Sequence, residues 1–600
     1  MSGPPVVPGD DPAAGSRLPV VPDDDVAAGS RLPVVVVGLG PVGATVALLV
    51  ARAGVPVVAI ERDVEVYPHP RAVALDDDAL RVLQAAGIRD GEGLDVLPGG
   101  TVRIRGRGGR SLVELGPPPT TTGHPGLAFF RQPQLERVLR ERLEAEPLVD
   151  LRLGTTVLGV DAPGGAGHTS GGAGHDAVLR IAGPDGTASE LRAPWVLACD
   201  GGRSAIRTAL GIPLRGTSSP SRWLVVDTDA VVGATDRSTA PATSTGAAGS
   251  TGTATSDPTP STPSATSTGA PAPPPDRRGP FAPADFEFGA DPHGPWVHGP
   301  LPGGAHRWEF LLPPTADRGD PEDPVAVRAL LARRSPGAVP EVRRAAVYAF
   351  HARVAARWRV GRVLLLGDAA HLSPPFAGQG LCAGLRDAGN VAWKVAAAWS
   401  GTADESLLDT YARERLPHVV RTTALAVALG LIVELRRTRA ARVRDAVLRR
   451  VAGTRPVRRW IAGGGWRPPS TLGGGLLARS RAHRHRAGEA LPQRRVPTQG
   501  EAPSRVDVPH VERQPPLDDL LPRGWVVLGA ADAGALVGHG ASAVPWPTLP
   551  GTGDLRRWLA PADVALVRPD RVVFGTATTG ELGALLTDAG RTAAFGSHRG

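Results

Sequence analysis

Three features of the sequence predict an α/β fold built around a Rossmann-like dinucleotide-binding domain. A β-branched run, Val34–Val37, leads into Gly38-Leu39-Gly40-Pro41-Val42-Gly43 and then into an apolar stretch at helical spacing. A second apolar run, Val57–Ile60, ends in Glu61, 18 positions after Gly43. Far along the chain, Val363–Leu366 reads as another strand buried on both faces and ends in Gly367-Asp368.

The first feature carries the most chemistry. Gly38 permits a tight turn, Gly40 lets backbone approach a pyrophosphate, and Gly43 lets helix pack closely on strand. The helix over Ala44–Ala53, with Gly54 at its C-cap, then offers free N–H groups to the phosphates. Glu61 is placed to accept hydrogen bonds from an adenosine ribose, with Arg62 beside it. In a chain with 76 glycines the bare G-x-G-x-x-G pattern is weak; the flanking strand, helix and acid give it meaning. Leu32–Val50 is apolar enough to suggest a membrane span, but its glycines and proline argue against one. The motif does not separate a flavin from a nicotinamide dinucleotide.

Six hundred residues suggest two to four domains, and 42% hydrophobic content is ample for their cores. A net charge of +8 and a pI near 10.5 do not imply a nucleic-acid partner. Lys394 is the only lysine, and the arginines are spread along the chain among nearly as many acids, which is the mark of a coding bias. The arginines of Arg436–Arg459 fall on an expected helix as a solvated face. Cys199 and Cys382 make neither a disulfide framework nor a metal cluster, in keeping with a reducing cytoplasm. No metal site is expected. The N-terminus lacks the charge and apolar core of a signal peptide, and Ala424–Val433 is a core-helix length rather than a membrane span.

Taken in order, the chain begins with a duplicated segment: AAGSRLPV recurs at a 14-residue offset, which marks 1–31 as a disordered tail. Arg71 follows Glu61 in a loop; a lone loop arginine by itself belongs in solvent. Asp76–Ala86 and Leu135–Ala145 have helical spacing, and Gln132 precedes the second. Leu191–Ala198 reads as a strand ending in Asp200-Gly201, where sheets of this class bind ligands. A Ser/Thr/Pro-rich stretch within 234–280 interrupts a β-rich region and reads as a flexible insertion. That region contains Trp296, His298 and Trp308, which are expected to line an aromatic pocket, although core packing suits each alone. Beyond Asp368, Pro374–Gly380 forms a rigid loop feeding a helix that reaches about Trp399, with its positive end toward a ligand. His371 reads as a base or as an anchor of that loop. Leu407–Glu414 and Arg421–Val433 are helical, His483 and His485 are expected at the surface, and strands recur over Leu520–Leu528, Asp563–Val567 and Arg571–Gly575.

The motifs GLGPVG with Glu61, CDGGRS at Cys199–Ser204 and LLLGDAAH at Leu364–His371 stand in one order. Together they resemble the FAD-dependent aromatic hydroxylases of the para-hydroxybenzoate hydroxylase fold. Within these, His69–Ile88, Pro374–Val395 and Leu407–Val419 are most similar to the 3-(3-hydroxyphenyl)propionate hydroxylases of the phenol hydroxylase-like branch. Val567–Gly575 resembles that group's thioredoxin-like tail, which has lost its redox cysteines.

The resemblance implies an FAD-binding domain over 32–215 and 341–435, an inserted β-rich substrate domain over 216–340, a helical linker over 436–500 and a thioredoxin-like domain over 501–600. It assigns Gly38, Gly40, Pro41, Gly43, Glu61 and Arg62 to the ADP half of FAD. Arg71 and Gln132 fall near the pyrophosphate and ribityl chain, and Asp200 and Gly201 near both FAD and the nicotinamide. Gly367 and Asp368 fall at the ribityl chain, and Pro375, Gly378, Gln379, Gly380 and Leu381 border the isoalloxazine. It implies hydroxylation of a small phenolic substrate by O2 through a flavin C4a-hydroperoxide, with NADH or NADPH as donor and no catalytic triad. A polycyclic aromatic substrate, or a non-catalytic dinucleotide-binding protein, are the alternatives. A homo-oligomer is left open, and the base that ionises the phenol is not identified.

Overall fold

A computed structural model describes residues 31–162, 176–229, 284–313, 320–334, 341–493, 515–529, 541–545, 548–549 and 553–591. The duplicated tail before residue 31 and the insertion expected at 234–280 lie outside the described residues.

Strand β1 (Val34–Val37) is buried along its whole length, as an all-valine run between two helical layers must be. It pairs in parallel with β2 (Val57–Glu61) on one side and Val196–Ala198 on the other. The sheet extends through Val149–Leu153 at one end and through Val363–Leu365 to the antiparallel edge Arg359–Val360 at the other. Helix α1 (Pro41–Arg52) begins on the glycine loop with Pro41 in its first turn, where a missing N–H has no partner to lose. Helix α2 (Asp77–Ala85) is capped by Asp76, whose carboxylate accepts the Ala79 N–H at 3.0 Å. Helix α3 (Gln132–Glu144) starts three residues before the predicted Leu135 and so includes Gln132. The stretch read as one strand at Leu191–Ala198 is two. Ala188–Ala193 closes a small antiparallel sheet, Pro194 breaks the ladder, and Val196–Ala198 enters the parallel sheet. Helix α4 (Ala205–Ala209) follows it.

A ten-stranded sheet faces the loops at the carboxyl ends of the parallel strands across one cavity. Its centre runs Val342–Ala355, Leu214–Thr228, His306–Leu311, Trp296–Pro300, Ala284–Gly289, Leu97–Arg105. The sheet therefore draws strands from both sides of the span 216–340. Leu97–Arg105 pairs in parallel with Ala284–Gly289, a long-range contact that no local pattern announces. Helix α5 (Pro324–Arg334) covers the outer face, where Val327 and Leu331 pack with Leu224, Val226, Trp308 and Phe310. The inner face carries Trp223, Phe288, Val297 and Leu311, which pack with Phe376 and Val433.

Helix α6 (Gly380–Ser400) lies against α1, and α7 (Asp409–Val433) is one continuous helix containing Pro417, where two were expected. By length and composition Glu405–Val433 is long and apolar enough to cross a membrane, which the shorter run Ala424–Val433 did not foretell. Its buried charges are met by protein: Glu414 by Lys394 at 2.8 Å and Arg568 at 2.9 Å, Arg415 by Asp387 at 2.9 Å. The arginine-rich stretch forms two helices, α8 (Thr438–Ala452) and α9 (Arg455–Ala462). A four-stranded sheet near the C-terminus runs Ala541–Val544, Trp525–Leu528, Val564–Val567, Val573–Ala577, with the first pair parallel and the others antiparallel. His483 is buried, not at the surface. The segment carrying it hydrogen-bonds along Val573–Ala577, from Ala478 N–H to Phe574 C=O and from Gly488 N–H to Val573 C=O.

Candidate cofactor and substrate cavity

A cavity of about 390 Å³ lies between the glycine loop, the inner face of the large sheet, the Pro375–Leu381 loop and the end of α7. Two helix N-termini open into it. Gly40, Pro41 and Gly43 line it at the start of α1, and Gly378, Gln379, Gly380 and Leu381 line it at the start of α6. Neither helix has a side-chain cap. Their first N–H groups and positive dipole ends therefore suit oxygen-rich, anionic ligand groups.

The three loop glycines serve different ends. Gly38 has φ +87°, and a Cβ there would lie 2.6 Å from the Cys199 carbonyl oxygen. A Cβ on Gly43 would lie 1.8 Å from the Gly38 carbonyl oxygen, so helix and strand could not close. A Cβ on Gly40 would meet no protein atom within 4 Å and would instead occupy the cavity. Such a bare backbone surface beside an uncapped helix fits a pyrophosphate. Glu61 accepts the Leu39 N–H at 2.6 Å and the Asp63 N–H at 3.1 Å, bracing the loop from behind. A carboxylate retains further lone pairs for ribose hydroxyls.

Asp368 is exposed into the cavity that it lines, and no protein hydrogen bond to its carboxylate is present among the described residues. Desolvation by the surrounding cavity wall raises its pKa, opposed in part by His371 and Arg71. A carboxyl open to the cavity and without a protein partner fits ligand hydroxyls, as a ribityl chain would present. Arg71 lines the same side, and its loop is pinned by Gln132, whose carbonyl accepts the Arg71 N–H at 3.0 Å and the Ala72 N–H at 2.7 Å. Gly201 lines the cavity as well. Asp200 lies just behind it, with one oxygen on the Ile206 N–H at 3.1 Å and the other buried without a partner. Gly367 is buried at φ +55° and turns the chain, and Pro375 lines the cavity. These donors and acceptors fit FAD.

Two expectations need correction. Arg62 does not enter the site; its side chain is 72% exposed and pairs with Asp63. Trp296, His298 and Trp308 do not line the cavity. They sit on the outer face of the sheet, His298 and Trp308 with ring centroids 3.9 Å apart and Trp308 against α5. Strand parity explains the difference: alternate residues face opposite sides, so Val297, Arg307 and Glu309 face inward. Half-buried on that outer face, His298 has its pKa lowered to about 4 by desolvation and by neighbouring His306. His371 is a loop anchor, buried and 2.7 Å from Asp387.

The residues missed are Arg307, Asp227 and Glu309. Arg307 pairs with Asp227 at 2.7 Å and donates to the Arg71 carbonyl at 3.0 Å, tying the sheet to the Arg71 loop. The alternation in His306–Leu311 held the signal: charged residues at 307 and 309 against aromatics at 308 and 310. Burial raises the Cys199 thiol, and likewise that of Cys382, so neither is a thiolate at neutral pH. No group of three or more metal-ligating side chains occurs among the described residues.

An α/β protein with two helix N-termini and an aromatic-lined sheet around one cavity is of the flavin-binding class. The family profile "FAD binding domain" matches residues 31–280 and 283–426. The chain belongs to this family, and its cofactor is FAD. It is 35% identical over 414 residues, 69% of its length, to a 3-(3-hydroxyphenyl)propionate/3-hydroxycinnamic acid hydroxylase of Burkholderia vietnamiensis. That match spans 65% of the relative, just under two thirds of its length. A hydroxylase of the same description from Klebsiella pneumoniae is 30% identical over 92% of this chain and 93% of the relative. Among solved structures, aklavinone-11 hydroxylase with FAD and aklavinone superposes with a TM-score of 0.66 at 22% identity, covering 93% of this chain and 99% of that one.

Proposed function

We propose that the protein is an FAD-dependent monooxygenase that hydroxylates a phenolic ring, with NADH or NADPH as electron donor. The observation that carries this reading is that two uncapped helix N-termini and an aromatic wall open into one cavity. When bound, FAD supplies the redox chemistry: electrons from the nicotinamide and activation of O2 for transfer to an electron-rich ring. The chain binds, orients and excludes water. Gly40, Pro41 and Gly43 hold the pyrophosphate on α1, with Gly38 shaping the turn and Glu61 taking the ribose. Arg71, fixed by Gln132, and Asp368, placed by Gly367, serve the pyrophosphate and ribityl chain. Asp200 and Gly201 stand where FAD and nicotinamide meet. Pro375 and Gly378, Gln379, Gly380 and Leu381 border the isoalloxazine, where the N-terminus of α6 favours negative charge. Phe286, Phe288, Val297, Leu429 and Val433 keep water from the ring.

The names of the relatives support a 3-(3-hydroxyphenyl)propionate-type substrate. A specific observation favours the second reading, an uncharged polycyclic phenol. Of the cations on the wall, Arg307 is paired with Asp227 and Arg467 with Asp77 at 2.6 Å, while Arg71 faces the cofactor side with Asp368. Among the described residues a substrate carboxylate would find Glu309 there and no cation free of these commitments. Product analysis after turnover with each substrate class decides between them. Ring hydroxylation of the propionate at the higher kcat/KM would reverse this preference, and a non-catalytic binding protein would give no substrate-stimulated NAD(P)H oxidation.

The domain division follows the same reading: FAD-binding segments on both sides of a substrate sheet, then a C-terminal unit. The second-first-third-fourth strand order of the last sheet supports a thioredoxin-like domain without redox cysteines. Free Cys199 and Cys382 suit a cytoplasmic setting. One prediction tests the cofactor assignment. Asp368→Ala is expected to weaken FAD binding about tenfold or more, a loss of about 1.4 kcal/mol, measured by flavin fluorescence on titration into apoprotein. Unchanged affinity with lost activity would remove Asp368 from the ribityl contacts.

A further inference from the structure

Glu309 stands on the inner face of the large sheet, beside Val225 and Val297 on the neighbouring strands. It lines the cavity, is only 8% exposed, and among the described residues its carboxylate has neither a hydrogen bond nor an ion pair. Arg307, two residues away, is committed to Asp227 and to the backbone of the Arg71 loop. The apolar cluster beside it, Phe288, Val297, Leu311, Phe376 and Val433, supplies no donor. An enclosed carboxyl of this kind calls for a partner brought by a ligand, and the surrounding aromatic wall calls for a ring.

We propose that Glu309 accepts the hydroxyl proton of the phenolic substrate and so is the base that ionises it. This rests on the hydroxylase reading of the same cavity. The phenol O–H bond breaks, a new O–H bond forms on a Glu309 oxygen, and the electron pair stays on the phenolate, which activates the ring toward the oxygen donor. Proton return to the product hydroxyl restores the carboxylate. The charged groups facing Glu309 are Arg307 on its own strand and Asp227 on the adjacent strand. Burial raises the Glu309 carboxyl above its ordinary range, and Asp227 adds to the rise, while Arg307 opposes it. The gap to a phenol of pKa about 10 narrows accordingly, which makes the carboxylate a better base.

The test compares wild type with Glu309→Gln in FAD-loaded protein, using flavin retention as the check that the variant is folded. The variant is expected to lose on the order of 10²-fold in kcat/KM at neutral pH and to recover as pH approaches the pKa of the substrate phenol in solution. An unchanged kcat/KM and pH profile would overturn the assignment, because a merely structural glutamate offers no such rescue. A binding measurement separates this from the hydroxylase reading. 4-Nitrophenol added below its solution pKa should bind wild type as the coloured phenolate and Glu309→Gln as the neutral phenol. Phenolate formation without any hydroxylated product would keep Glu309 and sink the hydroxylase reading; neutral binding to wild type would sink Glu309 alone.

Discussion

Gly43→Ala is expected to yield no soluble, FAD-loaded protein, whereas Gly40→Ala folds normally and fails to hold FAD. The two changes add the same methyl group three residues apart. At Gly43 the new Cβ would lie 1.8 Å from the Gly38 carbonyl oxygen and 3.0 Å from the Cys199 side chain, both at the centre of the parallel sheet. Neither neighbour can yield, since one is backbone braced by Glu61 and the other flanks a buried strand. At Gly40 the backbone already has dihedrals any residue adopts, φ −61° and ψ 179°, and no protein atom lies within 4 Å of the Cβ. The methyl would stand where the pyrophosphate approaches the N–H groups of α1. Thermal unfolding of the apoproteins and FAD titration separate the two effects. A Gly40→Ala protein that binds FAD as tightly as wild type would move the pyrophosphate elsewhere.

Glu414→Ala is expected to cost about 3–5 kcal/mol of stability, because it leaves buried Lys394 without a counter-charge and buried Arg568 with Asp570 alone. Lys394, Glu414 and Arg568 are all fully enclosed and join α6, α7 and the C-terminal sheet. Glu414 also accepts the Asn390 amide at 2.6 Å and the Leu476 N–H at 2.8 Å. Burial alone would raise its pKa, but Arg568 and then Lys394 bring it down to about 2. The sign of the pH effect follows. The depressed folded-state pKa contributes stability that is complete above the ordinary 4.5 and is lost as pH falls toward 2. Chemical unfolding should show this acid sensitivity in wild type and a smaller one in Glu414→Ala. The double variant Lys394→Met, Glu414→Leu should recover much of the loss, since it removes Lys394 together with its counter-charge and leaves Arg568 paired with Asp570. A penalty below about 1 kcal/mol for Glu414→Ala would mean the cluster is hydrated and not a buried ion network.

The parts of the molecule legible in the sequence are those encoded locally. The glycine loop, its strands and the Gly367-Asp368 turn declare themselves within a few residues, because turn geometry and strand burial depend on near neighbours. The misread parts depend on contacts across long stretches of chain. The composition around Trp296, His298 and Trp308 suits an aromatic pocket as well as core packing, and only the sheet decides: the aromatics pack under α5 and the charged alternates face the ligand side. Arg307 and Asp227 are 80 residues apart and become partners only through the pairing of Leu214–Thr228 with His306–Leu311. Lys394 stood out as the single lysine, yet its purpose needs Glu414 and Arg568 from distant segments. His483 looked exposed beside its arginines and is covered because its segment runs along a strand almost a hundred residues further on.

The most direct test of one cavity shared by FAD and a phenol is the visible absorption spectrum of the purified protein, titrated with phenolic compounds. The account predicts flavin bands at stoichiometric FAD, perturbed saturably by a phenol that also accelerates NAD(P)H oxidation. Folded protein that neither carries nor takes up FAD would contradict it.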